Sequence, residues 1–331
     1  MSSCLYCNAA MPVATDDHIF PQFLGGRRTI KACKSCNDVF GHTFEGASAK
    51  QLGAFHVYIS SWGLPLRSAE PVWKSAHACD GRIYDFEVGP TSAKPTLAHP
   101  IIERDDKGRI IAGEFPSLIQ AQKFADSLIR KKKAKEVGLE NVAPRPIDTK
   151  GLEIELSINP NLQRMALKMS VACAQAAGWL PASGCPNHVR AFLASSSPPY
   201  IGGPTGVAYA DWSWLSSYRK PLGHVIYVHR RKQELVACVQ FFGTFQVFCR
   251  LGTADPTENV AAFVGTLDPV TGEETFSERQ PWLLSDPPDM VPQTVAVAFI
   301  HECCQSLKRQ ARERGATGIP DTALSVVIDQ E

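Results

Sequence analysis

CLYCNAAMPVATDDHIFPQFLGGRRTIKACKSCN, residues 4–37, is the stretch that decides how this chain begins. It opens and closes on the same spacing, Cys4-x2-Cys7 and Cys33-x2-Cys36. A unit of about 50 residues buries too little apolar surface to hold itself together and needs a metal or disulfides. Each C-x2-C turn presents two thiolates, and four such ligands close a tetrahedral zinc sphere that leaves no position for water or substrate. The zinc expected on Cys4, Cys7, Cys33 and Cys36 is therefore structural. The rest of the 11 cysteines (Cys79, Cys173, Cys185, Cys238, Cys249, Cys303 and Cys304) have no such spacing. They read as small buried hydrophobes.

Working outward, the 331 residues suggest roughly two domains. Lys plus Arg number 34 against 33 Asp plus Glu, a net charge of +1, which excludes a uniformly basic nucleic-acid coat. Any such contact must use a local patch. A hydrophobic content of 44% supplies a core. No apolar stretch approaches the ~20 residues of a membrane span, and Met1-Ser2-Ser3-Cys4 lacks the pattern of a secretory signal. A cytoplasmic chain with no membrane partner is expected.

The fold class expected is α+β: a small zinc-stapled unit over residues 1–55, then a larger α+β unit over 56–331 of undetermined role. A helical stretch near Leu118–Lys135 ends in the basic run Arg130, Lys131, Lys132, Lys133, Lys135, which reads as a solvated face or a phosphate contact. Pro144 and Pro146 mark a linker near 142–150. Leu152–Ile158 alternates apolar and polar and reads as a half-buried strand. Asn159-Pro160-Asn161 starts a helix with an apolar face of Leu162, Met165, Met169, Ala172, Cys173 and Ala176, stopped by Gly178. His224–Val228, Leu235–Phe241 and Phe245–Leu251 form an antiparallel meander. A last helix runs from about Gln293 to Arg314, before Gly315. Trp212, Trp214, Tyr218, Arg219 and Lys220 have the composition of a base-stacking surface, with core packing as the plainer reading.

Inside the knuckles lie Asp17-His18-Ile19-Phe20-Pro21 and Gly25-Gly26, and Asn37 follows the second pair directly. The order Cys-Cys, Asp-His-x-x-Pro, Gly-Gly, Cys-x2-Cys-Asn resembles the HNH endonucleases, the ββα-metal nucleases, in the branch whose hairpin is bracketed by two C-x2-C knuckles. The resemblance covers residues 4 to about 46. It implies strands near Thr15–Ile19 and Arg28–Ala32, a loop at Pro21–Gly26 and a helix over Ser35–Lys50. It further implies His18 as general base, with Asp17 and Asn37 holding a catalytic divalent ion, Mg²⁺ or Mn²⁺.

Phosphodiester hydrolysis needs a deprotonated water, a cation on the phosphate and charge relief on the leaving oxygen, and imidazole suits the first task near pH 7. Successive strand residues face opposite sides, so Asp17 and His18 share a site only where the strand bends. Asp16 lies on the His18 face and is the second candidate ligand. His42, about 140° around a helix from Asn37, is expected outside the ligand set, whereas Phe40, Gly41 and Phe44 share the Asn37 side as a packing face. Arg27, Arg28 and Lys31 follow the glycines as candidate nucleic-acid contacts or a solvated loop.

The resemblance thus implies an endonuclease acting on nucleic acid, DNA before RNA, in restriction or phage defence. The rival is a non-catalytic zinc ribbon binding nucleic acid or protein, which has no reason to place Asp-His and Asn at these positions. A double-strand break needs two sites. A homodimer through residues beyond about 150 is therefore expected, with Val225, Tyr227, Leu235, Ala237 and Val239 either packed inside or offering an edge. The second unit is also a candidate surface for a protein partner.

Overall fold

The computed structural model describes residues 3–64, 66–67, 72–77, 82–88, 93–131, 133, 137–138, 160–180, 184–195, 205–207, 213–231, 234–253, 260–280 and 296–317. The chain is α+β, as expected. It begins with an antiparallel hairpin, β1 (Ala14–His18) and β2 (Thr29–Cys33), in register Asp16↔Lys31, Asp17↔Ile30 and His18↔Thr29. A helical run follows: α1 (Lys34–Phe40), a π-type turn (Gly41–Glu45) and α2 (Gly46–Ser61). The expected hairpin and helix are all present, and the helical run continues past Lys50 to Ser61.

Three strands, β3 (Val72–His77), β4 (Ile83–Val88) and β5 (Ala93–Leu97), make a second antiparallel sheet, and β6 (Ile101–Arg104) and β7 (Ile110–Glu114) make a third. Helix α3 (Leu118–Arg130) has Lys131 as its C-cap, and Lys132 and Lys135 of the basic run lie outside the described residues. Helices α4 (Pro160–Ala176) and α5 (Asn187–Ala194) lead to the strands β8 (Thr205–Val207), β9 (His224–Arg231), β10 (Glu234–Phe241), β11 (Phe245–Thr253), β12 (Ala261–Leu267) and β13 (Glu274–Arg279). These form one six-stranded antiparallel sheet in the order β13-β12-β9-β10-β11-β8. Helix α6 (Ala296–Glu313) closes the described chain. The expected linker at 142–150, the strand at Leu152–Ile158 and the side chains of Trp212 and Trp214 lie outside the described residues. No helix among the described residues is long and apolar enough to cross a membrane.

The meander sits where the sequence places it, in the middle of the sheet, flanked by β12 and β8. Val225 and Tyr227 pack with Leu215, Cys238, Ala262 and Val264 on one face. Ile226, Val228, Leu235, Ala237 and Val239 pack on the other, against the main core. Both faces are buried, so these residues are interior and form no free pairing edge. The β10–β11 turn has positive φ at Phe242 and Gly243, which matches the sheet's twist. A Cβ on Gly243 would lie 2.2 Å from the Gln310 side chain, so the position requires glycine.

Helix α4 is the element that positions the site. It lies against β8 to β12 on one side and against β2, α2 and the π-type turn on the other. The six-residue apolar face expected of it is too narrow, since every residue from Leu162 to Ala174 is buried, polar Gln163, Arg164, Lys168 and Ser170 included. A helix enclosed on all sides has no solvent face to be amphipathic about. The main core accordingly runs without a break from Ile19, Phe20, Phe44 and Phe55 through α4 into the sheet.

Candidate active site

The two knuckles bring Cys4, Cys7, Cys33 and Cys36 together with all four sulfurs within 4.8 Å of one another. The Cys7 and Cys33 sulfurs are 3.7 Å apart. A tetrahedron with Zn–S of about 2.3 Å has edges of about 3.8 Å, so the donor set and its spacing fit a closed, structural zinc. Within the cluster, hydrogen bonds from the Cys36 side chain and from main-chain groups lower the Cys4 thiol, and the same Cys4–Cys36 bond raises Cys36. Cys33 also caps α1, its sulfur accepting from the Cys36 N–H, so the second knuckle and the helix start are one feature. Tyr6 stacks edge-on against Phe40, and Phe40 against Phe44, tying the first knuckle to the helical run. The described cysteines outside the cluster (Cys173, Cys185, Cys238, Cys249 and Cys303) are buried, as the sequence suggests.

The glycine pair sets the hairpin's far end. Gly25 adopts φ 98°, and a Cβ on Gly26 would sit 1.9 Å from the Phe20 carbonyl oxygen. Only glycine allows the chain to double back this closely on Ile19–Phe20. The turn is clasped by the large sheet. Glu274 on β13 accepts from the Arg27 and Arg28 main-chain N–H groups at 2.9 and 2.8 Å, and the Arg28 guanidinium lies over the Phe276 ring. One face of Arg28 is thus taken up by that ring, and both Arg27 and Arg28 are exposed. Lys31 pairs with Asp16 across the hairpin at 2.8 Å, an exposed ion pair that another anion can open at little cost.

β1 stays regular up to His18, and the strand's alternation sorts the acidic residues. Asp16 is exposed, and its carboxyl is held below the ordinary range by hydrogen bonds from Lys31 and Thr29, with a smaller effect of His18. His18 is half-buried at the strand's end. Asn37, from α1, donates its amide N–H groups to the Asp16 carbonyl at 3.0 Å and the Thr15 hydroxyl at 3.3 Å, pinning β1 against the helix. Asp16 and His18 thus share one face of β1, while Asn37 holds the strand from the Thr15 side. His42 is exposed, and Phe40 and Phe44 are buried as expected. Gly41 is exposed and outside the packing face.

Asp17 is turned the other way. Its carboxylate is 2% exposed and has both oxygens engaged: Oδ2 accepts from the Tyr6 hydroxyl at 2.7 Å, and Oδ1 accepts from the Lys168 ammonium at 2.5 Å. Lys168, from α4, also donates to Glu45 Oε1 at 2.5 Å and to the His18 main-chain carbonyl at 3.1 Å. Burial, and then the Asp17 charge, push the Tyr6 phenol well above its ordinary range, so it remains a donor. With an ammonium already on Asp17, Asp17 and Asn37 in this arrangement do not fit a divalent ion.

Sequence reasoning missed Tyr6, Glu45 and Lys168. For Lys168 a signal was present. It falls three residues after Met165 and four before Ala172, inside the helix's apolar stripe, where a lysine has no solvent to reach.

Arg219 of the candidate base-stacking group instead bonds Gln240, Gln310 and the Gly243 carbonyl, within the fold's interior.

Residues 4–53 match the family model described as HNH endonuclease. Neither a curated protein nor a solved structure matches the chain. The matched span holds the zinc-type cysteine cluster, the Asp-His strand, the glycine turn and the Asn37 helix, and in this N-terminal segment the chain is similar to the HNH endonucleases.

Proposed function

We propose that this protein is an endonuclease that hydrolyses phosphodiester bonds of nucleic acid, DNA before RNA, with residues 1–55 as the nuclease unit and 56–331 as the unit that completes it. The observation that carries this reading is the placement of His18 within the family match: half-buried at the end of β1, beside Asp16 and the Asn37-pinned strand. The His18 imidazole there takes the proton of an attacking water. Asn37 fixes the strand that carries it. Arg27, Arg28 and Lys31, all exposed, are the candidate phosphate contacts. A divalent ion, Mg²⁺ or Mn²⁺ by family resemblance, would supply charge relief on the phosphate; with Lys168 seated on Asp17, the exposed Asp16 carboxylate is the group left to hold it. The setting proposed is cytoplasmic, in restriction or phage defence.

Supercoiled plasmid and a single-stranded RNA, each incubated with zinc-loaded protein and Mg²⁺ or Mn²⁺, test the reading. Cutting should disappear with EDTA and with His18→Ala, which removes the base and no zinc ligand. Equal cutting by wild type and His18→Ala would refute it. A non-catalytic zinc module would bind nucleic acid and leave both substrates intact.

A further inference from the structure

We infer that Lys168, supplied by α4 from far along the chain, is the resident cation on the inner side of the nuclease hairpin: it makes Asp17 a buried anchor and positions His18. The assignment rests on the nuclease reading for what His18 does, and on geometry alone for where Lys168 sits.

Two carboxylates and one ammonium meet where water is excluded. Lys168 is 1% exposed, Asp17 2% and Glu45 18%. An ionised group in such a place is costly unless it is paired and hydrogen-bonded. An ammonium has three N–H donors, and three oxygens receive them: Asp17 Oδ1, Glu45 Oε1 and the His18 carbonyl. The remaining Asp17 oxygen takes the Tyr6 hydroxyl. A fully matched set of this kind specifies a single arrangement. Withdrawing the lysine would strand buried carboxylates, and the helix that carries it is enclosed on every side. Lys168 is thus a fixed part of the site and does not swing out.

Two features tie the cluster to His18. The third lysine bond goes to the carbonyl of His18 itself, so the ammonium fixes the peptide unit that carries the base. Glu45 reaches the lysine from the π-type turn between α1 and α2, an irregularity of the kind found at functional sites. A cation already seated on Asp17 repels a second one. That leaves the outer face of the hairpin, with His18 and Asp16, as the side that meets nucleic acid.

The test uses the full-length, zinc-loaded chain. Lys168→Met should lower plasmid cutting by about 10- to 100-fold, the effect of a base misplaced by about 1 Å. It should also move the His18 Cε1–H resonance, assigned by its loss in His18→Ala. Lys168→Arg, which keeps the charge, should restore part of both. If Lys168→Met fails to fold, the variant Asp17→Asn/Glu45→Gln/Lys168→Met, which buries no unpaired charge, takes its place and should show the same losses.

A folded Lys168→Met, or the triple variant, that cuts like wild type with an unmoved His18 signal overturns the inference. So does a Lys168→Met protein that binds Mn²⁺ tenfold more tightly than wild type, since the lysine would then be competing for a metal site. If wild type cuts no nucleic acid, the nuclease reading fails, and the His18 resonance still decides the placement of Lys168.

Discussion

Lowering the pH from 7 to 5 should remove about 4 kcal/mol of folding stability through two histidines other than His18. His56, on α2, and His224, at the start of β9, are both 0% exposed and flank the Phe242 ring at 5.2 and 4.6 Å. Burial pushes each imidazole down to about 3 from the ordinary 6.5, and at His224 the nearby His56 and Arg219 charges add to the effect. The unfolded chain therefore takes up protons that the folded chain refuses. The stability these groups contribute is whole above pH 6.5 and drains as the pH falls towards 3. Between pH 7 and 5 each imidazole withdraws about 2 kcal/mol, a large share of the ~5–15 kcal/mol typical of a folded protein. Urea melts at pH 7, 6 and 5 measure the fall. His56→Leu, apolar and without a titrating group, should cut the pH dependence by about half. Equal stabilities at pH 7 and 5, or an unchanged fall in His56→Leu, would refute the reasoning.

Zinc should co-purify at one per chain by elemental analysis, and Cys33→Ser should release it and destabilise the first 64 residues; a zinc-free protein that melts like wild type contradicts this. A fragment ending at residue 64 should not fold cooperatively even with zinc. It exposes Phe20 and Phe55, each worth about 1.5–3 kcal/mol, and strands Asp17 without Lys168 at about 3–5 kcal/mol. A well-dispersed NMR spectrum of that fragment would show the estimate to be misplaced. Phe55→Ala in the full chain should cost about 3–5 kcal/mol, because the ring is buried against Phe242 and Phe245 with centroids 5.6 and 4.7 Å away; a loss under about 1 kcal/mol in urea melts argues against that packing.

What the sequence determined by itself is local. A C-x2-C turn places two sulfurs by the geometry of four residues, so the zinc-type cluster was legible from spacing. The Gly25-Gly26 turn was legible because only glycine tolerates its φ and close approach. The meander strands were legible from apolar residues recurring between turn residues, and α4 from its start and stop signals. The strand period even placed Asp16 on the face of His18.

Tertiary structure decided which carboxylate is buried, and with what. Asp17 and Lys168 are 151 positions apart in sequence, and Lys168 and Glu45 are 123 apart. No local rule links them, since their pairing exists only after α4 has docked between the hairpin and the sheet. The same docking explains why α4 is buried all round and why the meander is interior on both faces. The sequence names the residues able to do the chemistry; which of them face substrate and which are sealed inside depends on what water is excluded from, a property of the assembled fold.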